Sequence, residues 1–292
     1  MSNDKNKTIN DGLNVIEENN SNITDNNNMK GKVKNNNALK ILSLLVIILA
    51  IAASFLGYIV YDKELFEKDD EEVKPLTENI LLLNSEIIEK DGEKFLPEYN
   101  KIDTDTKSSF VFGGKDINYE EKNNYKIVDL YVSFTGTKSV DTIWNNIESF
   151  EGAISNGDII LVVHPIPTQN NIAVVMPQAL AKSAEENSSK TWELFVNYVA
   201  ITKANHENNG TFTSEKMRES MINSAKDLGY NSITKELLES TEFLSWIFDD
   251  MDNITKKVSE SIPSIYVNGE KIDYKETSYV DTNKLFEKIS EM

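Results

Sequence analysis

The residues best placed to do chemistry stand in two short stretches. In the first, Val128, Leu130, Val132 and Phe134 alternate with Asp129, Tyr131 and Ser133, the pattern of a half-buried strand. That run leads into Gly136-Thr137-Lys138-Ser139, directly ahead of a helical pattern. The start of a helix presents backbone N–H groups that no carbonyl of the same helix can satisfy, so the segment suits a negative charge. In the second stretch, Ile262-Pro263 opens a strand-like run that closes on Asn268-Gly269, a strong hairpin signal. Ser139 carries a hydroxyl, which is a poor nucleophile without a base beside it.

Composition narrows the chemistry further. The 292 residues include no cysteine, which rules out disulfides, thiolate metal sites, Fe–S clusters and every thiol mechanism of this chain's own. With 48 acidic against 30 basic residues the formal charge is −18. Nucleic-acid binding needs a basic face, so none is expected. The two histidines are His164 and His206. His164 falls at the end of a strand and reads as a hydrogen-bonded strand-end residue, while His206 falls in a polar stretch that reads as a loop with no role. Asp249, Asp250 and Asp252 lack the spacing and the glycine of a calcium loop and read as a solvated helix end. Nothing in the chain calls for a metal or a cofactor.

These stretches need elements to position them. Residues 109–112 read as a strand before Gly113-Gly114, and residues 127–134 as another. Val140, Ile143, Trp144 and Ile147 fall on one helical face, with Ser139 as its expected cap. Residues 158–163 form a near-continuous apolar run, as in a strand buried on both faces. Strand, helix, strand at this spacing predicts a βαβ unit with parallel strands. Helices are then predicted with Pro177 in a first turn, through Trp192 to Val199, from Ser214 to Gly229, and from Thr241 through Phe248. A hairpin across Asn268-Gly269 and a last helix opened by Asp281 complete the order.

That order resembles the DsbA-like thioredoxin fold, an α/β fold with a helical insertion, here at about 177–258. In that family a strand of the type V-x-V-Y-x-D-F enters C-P-x-C at the start of a helix, and here Gly136-Thr137-Lys138-Ser139 stands in that place. Late in the family's chain a strand of the type T-P-T-x-x-V-N-G begins at a cis-proline. Residues 262–269, Ile-Pro-Ser-Ile-Tyr-Val-Asn-Gly, are similar to it without a gap. The resemblance covers roughly residues 108–290. It implies that Pro263 is cis and that Ile262, Pro263, Gly136 and Ser139 border a peptide-binding cleft. Gly136 replaces the nucleophilic thiol and Ser139 the resolving one, so the family's disulfide exchange has no sulfur to run through.

Ahead of that domain, residues 41–61 carry no charge. As a helix, 21 residues would span about 32 Å, close to the roughly 30 Å hydrocarbon core. A transmembrane helix is therefore expected at 39–61, with a cleaved signal peptide ending near Ala50-Ile51-Ala52 as the rival. Lys30, Lys32, Lys34 and Lys40 precede the run, and Asp62, Glu64, Glu67, Asp69, Asp70, Glu71 and Glu72 follow it. The positive-inside rule then places residues 1–38 in the cytoplasm and the domain outside. Residues 1–38, rich in Asn and poor in large apolar side chains, are expected to be a disordered tail. Residues 62–107 are expected to be an acidic stalk and an N-terminal helix carrying Leu76, Ile80, Leu83, Ile87 and Ile88 and ending near Asp91-Gly92. The domain takes residues 108–292.

The leading functional expectation is a redox-inactive, membrane-anchored extracytoplasmic domain that binds a partner protein or an unfolded peptide. Two readings stand beside it. One is a member of a thiol-disulfide oxidoreductase family with an envelope protein-folding role exerted through another protein's cysteines. The other is a structural surface anchor. The oligomeric state is left open.

Overall fold

The computed structural model describes residues 76–99, 108–119, 125–167, 172–249, 251–258, 262–273 and 281–292. The expected tail and membrane helix lie outside these. Among the described residues no helix is long and apolar enough to cross a membrane.

A six-stranded sheet forms the frame. Its strands are β1 (Ile80–Leu82), β4 (Phe110–Gly114), β5 (Lys126–Val132), β6 (Ile159–Pro165), β7 (Ser264–Val267) and β8 (Glu270–Lys271), in the spatial order β1-β4-β6-β5-β7-β8. A separate hairpin pairs β2 (Ile88–Lys90) with β3 (Glu93–Phe95). β5 and β6 run parallel with Val128 beside Leu161, and the other pairings are antiparallel. The parallel pair is joined by two helices, α1 (Thr137–Trp144) and α2 (Ile147–Ser155), as the βαβ spacing requires. Every residue of β6 is buried, in keeping with its apolar run.

Between β6 and β7 lies the helical block: α3 (Ile172–Asn187), α4 (Thr191–Glu207), α5 (Ser214–Asp227), α6 (Lys235–Leu238), α7 (Leu244–Phe248) and α8 (Met251–Lys257). The helix α9 (Thr282–Glu291) closes the chain, capped by the Asp281 side chain as predicted. Lys126 closes its other end by donating to the carbonyls of Ile289 and Ser290 at 2.8 and 2.6 Å. The main core lies between the inner sheet face, with Phe110, Phe112, Val128, Leu130 and Val132, and the helices carrying Trp192, Phe195 and Tyr198. A smaller cluster on the outer face joins Tyr131 to Ile254 and Val258.

Several elements differ from the sequence reading. Residues 76–91 do not form a helix. A 3-10 turn leads into β1, which pairs with β4 at the sheet edge, and Asp91-Gly92 is the turn of the β2–β3 hairpin. Ile80 and Leu82 are buried on alternate positions, a period of two that the run of four apolar residues also permits. Asp91 and Gly92 have φ of 56° and 80°, the signature of a tight hairpin turn rather than a helix end. The folded unit therefore includes residues from Leu76 on, ahead of the expected boundary at 108. Lys94 ties the hairpin to the helical block through Glu185 at 2.6 Å and Glu242 at 2.8 Å.

The expected single helix after β5 is two, broken at Asn145-Asn146, and Trp144 turns outward with 41% exposure. Pro177 is inside α3 rather than in its first turn. A proline inside a helix costs about 3 kcal/mol. Burying Ile172, Val175 and Met176 ahead of it supplies roughly 1.5–3 kcal/mol each, enough to carry the helix across. Thr213, not Ser214, caps α5, and Phe243, not Thr241, precedes α7.

Candidate functional site

The antiparallel pairing of β5 with β7 brings the two sequence stretches together. Tyr131 stands opposite Ser264, the residue that follows Pro263. The Ile262–Pro263 peptide bond is cis. Pro263 is buried, whereas Ile262 keeps 36% of its surface exposed. The sequence expectation of a cis-proline next to the degenerate motif is what the backbone adopts.

The loop leaving β5 is closed by its own hydrogen bonds. The Gly136 N–H donates to the Ser133 carbonyl at 3.0 Å, and Gly136 then serves as the N-cap residue of α1, its carbonyl accepting from Val140 at 3.0 Å. Ser139 is not the cap. It sits in the first helical turn, 1% exposed, and its hydroxyl accepts from the Ser133 N–H at 3.2 Å. Its side chain is therefore committed inward, and Thr137 and Lys138 are the exposed members of the motif. Gly136 has φ −83° and ψ 125°, an ordinary extended conformation. A Cβ placed on it would meet Ser133 atoms no closer than 3.5 Å, so the position has room for a side chain. The first-turn N–H groups of α1 have no carbonyl within their own helix to bond, which leaves this end of the helix electropositive.

The second helix of the helical block supports the same loop. Lys203 on α4 pairs with Asp141 on α1 at 2.7 Å, and the Asp141 carboxylate holds the Lys203 ammonium above the usual lysine range against its partial burial. One turn on, His206 Nε2 lies 3.2 Å from the Thr135 carbonyl. The sequence reading of His206 as a loop residue without a role is therefore corrected: it is in the last turn of α4 and touches the site loop. Its neighbours, Asn205, Glu207, Asn208 and Asn209, are polar, so no apolar period marked it as helical.

His164 behaves as expected of a strand-end residue. It is fully buried, bonded through Nε2 to Asp129 Oδ1 at 2.9 Å and stacked on the Tyr131 ring at 4.2 Å between centroids. It lies on the sheet face carrying Asp129 and Tyr131. The exposed Asp249 and Asp252 stand at helix ends, and among the described residues no group of three or more acidic or histidine side chains could hold a metal.

Comparison with known proteins bears on the fold. A family model described as thioredoxin matches residues 143–287, a span that begins inside α1 and includes the cis-proline loop. The domain is thioredoxin-like. Its fold is similar to that of MdbA, a thiol-disulfide oxidoreductase from Actinomyces oris, with a TM-score of 0.54 at 16% identity over 63% of this chain and 88% of that one. A second MdbA, from Corynebacterium diphtheriae, aligns over 62% of this chain and 89% of its own with 16% identity and a TM-score of 0.48. The first of the two carries the likeness, and at that identity it speaks to the fold. No curated protein matches the chain in sequence. The thioredoxin-like domain thus has the DsbA-type arrangement that the two motifs implied, helical insertion included, and it has it without a cysteine.

Proposed function

We propose that this chain is a membrane-anchored, extracytoplasmic thioredoxin-like protein that has given up thiol exchange and binds a partner protein or an unfolded peptide. The binding surface is the cleft between residues 136–139 and Ile262-Pro263. The observation that carries this reading is the placement of Ile262: an exposed isoleucine on a cis peptide bond, just ahead of the strand that pairs with β5, and β5 leads into α1. An extended peptide lying there meets main-chain groups of the proline loop and the electropositive helix end, and neither interaction needs sulfur. Lys138 adds a positive charge, which favours a segment with an acidic residue. The anchor and the orientation rest on the uncharged run at 41–61 with lysines before it and acids after it.

The test is binding of a permanently unfolded probe, reduced and carboxymethylated α-lactalbumin, to the full chain in detergent, followed by fluorescence anisotropy. Ile262→Asp puts a desolvated charge where the probe would pack and is expected to weaken binding at least tenfold. Equal affinity of the variant and the parent removes the proline loop from the binding site, and no binding by the parent removes the reading itself. Protease digestion of intact cells checks the topology: the domain is expected to be cut from outside and residues 1–38 protected.

A further inference from the structure

His206 is tied to the site loop by a bond that crosses 71 positions of sequence. A carbonyl oxygen can only accept, so Nε2 carries the proton and donates to Thr135 O, which fixes the ring's tautomer. The peptide unit it holds is the one between Thr135 and Gly136. The other end of that same planar unit, the Gly136 N–H, donates to Ser133 O. Both polar ends of one rigid plane are therefore occupied, one by the loop and one by α4. Gly136 is the N-cap residue of α1, so the orientation of this plane sets how the chain enters that helix and the direction of its first turn. One turn before His206, Lys203 holds Asp141 of α1 at 2.7 Å. The last turns of α4 thus grip both the loop and the helix, and glycine at position 136 makes the grip necessary because it restrains the backbone least.

We infer that His206 is a positioning residue for the binding site: its Nε2–H locks the Thr135–Gly136 peptide plane and with it the direction of the first-turn N–H groups of α1. The inference rests on the binding role proposed above for residues 136–139. A purely structural histidine would support the fold without setting the affinity.

The test compares the full chain with His206→Leu and His206→Gln in two measurements. Hydrogen exchange followed by mass spectrometry reads the backbone of residues 133–140, and anisotropy with carboxymethylated α-lactalbumin reads affinity. His206→Leu removes the donor and is expected to speed exchange in that segment and to weaken probe binding about fivefold, the scale of one neutral hydrogen bond, with little change in Tm. His206→Gln can still donate and is expected to restore both. Unchanged exchange in His206→Leu overturns the inference, as does a loss of affinity that follows only a drop in Tm or that Gln fails to restore. If the parent does not bind the probe, the binding proposal fails, and the exchange measurement still decides whether His206 holds the loop.

Discussion

Because the chain has no cysteine, a single introduced thiol reports on the site without background. Gly136→Cys places that thiol at the N-cap of α1. The structure accommodates it: φ is −83°, and the new Cβ would lie 3.5 Å from Ser133 Cβ and 3.6 Å from Ser133 O, ordinary contact distances. A charge near a helix N-terminus is stabilised by about 0.3–1 kcal/mol, and by up to about 2 kcal/mol when partly buried, as position 136 is. At about 1.36 kcal/mol per pH unit, the thiol should ionise roughly 0.2 to 1.5 pH units below the usual value of about 8.5. Lys138 acts in the same direction, weakened by solvent. The net charge of −18 acts in the opposite direction, so an internal reference is needed.

Asn208→Cys supplies the reference. Asn208 is the exposed C-cap of α4, where the helix field disfavours an anion. The assay is the pH dependence of iodoacetamide alkylation in each full-length variant. The midpoint of Gly136→Cys is expected below that of Asn208→Cys. Equal midpoints, or a higher one at position 136, would refute the claim that the motif segment sits at an electropositive helix start.

Two further outcomes concern the frame around the site. Gly157 ends α2 with φ +78°, and a Cβ there would come within 2.1 Å of Ile117 Cδ1, so Gly157→Ala combines left-handed strain with overpacking. Urea denaturation should show a loss of about 2–4 kcal/mol. Burial holds the Glu151 carboxyl above the usual glutamate range, with Glu148 adding to it and the bond from Trp192 Nε1 at 3.0 Å opposing it. A raised folded value means that the folded state holds its proton longer. Its contribution to stability is therefore complete below the ordinary pKa of about 4.3 and is lost as pH rises through the folded value. Glu151→Gln keeps an acceptor for Trp192 without the charge, and should flatten that part of the stability–pH curve in denaturant titrations from pH 4 to 7.

The parts of this fold that were legible in the sequence are those in which local chemistry and tertiary packing agree. Alternation fixed β5, and its apolar run fixed β6, because both are set by which face is buried. Asn268 and Gly269, with φ of 50° and 83°, show why their pair marks a hairpin whatever surrounds it. Errors came where two periods fit one run. Ile80, Leu83 and Ile87 suit a helix, yet the backbone partner offered by β4 decides for a strand, and that partner is distant in sequence. Asp91-Gly92 suits a helix end and a hairpin turn equally, and the pairing of β2 with β3 decides for the hairpin. The site itself was legible as far as the backbone goes, in the cis-proline and the motif beside it. The supports were not, since the reach of His206 to Thr135 and of Lys203 to Asp141 depends on how α4 packs against α1.

The absence of thiols does not leave the loop open. The Ser133 N–H donates to Ser139 Oγ, the Gly136 N–H to Ser133 O, and His206 Nε2–H to Thr135 O. These three bonds tie the strand end to the helix start and the helix start to α4. Two of them meet on the Thr135–Gly136 peptide unit, through its carbonyl and its N–H, so each polarises the other. Here every link is a hydrogen bond that no change of redox potential can make or break. On the binding role proposed above, such a surface would meet a partner in the same form in oxidising and reducing surroundings. Affinity for the unfolded probe is therefore expected to be the same with and without dithiothreitol, and a dependence on the reductant would have to arise in the partner.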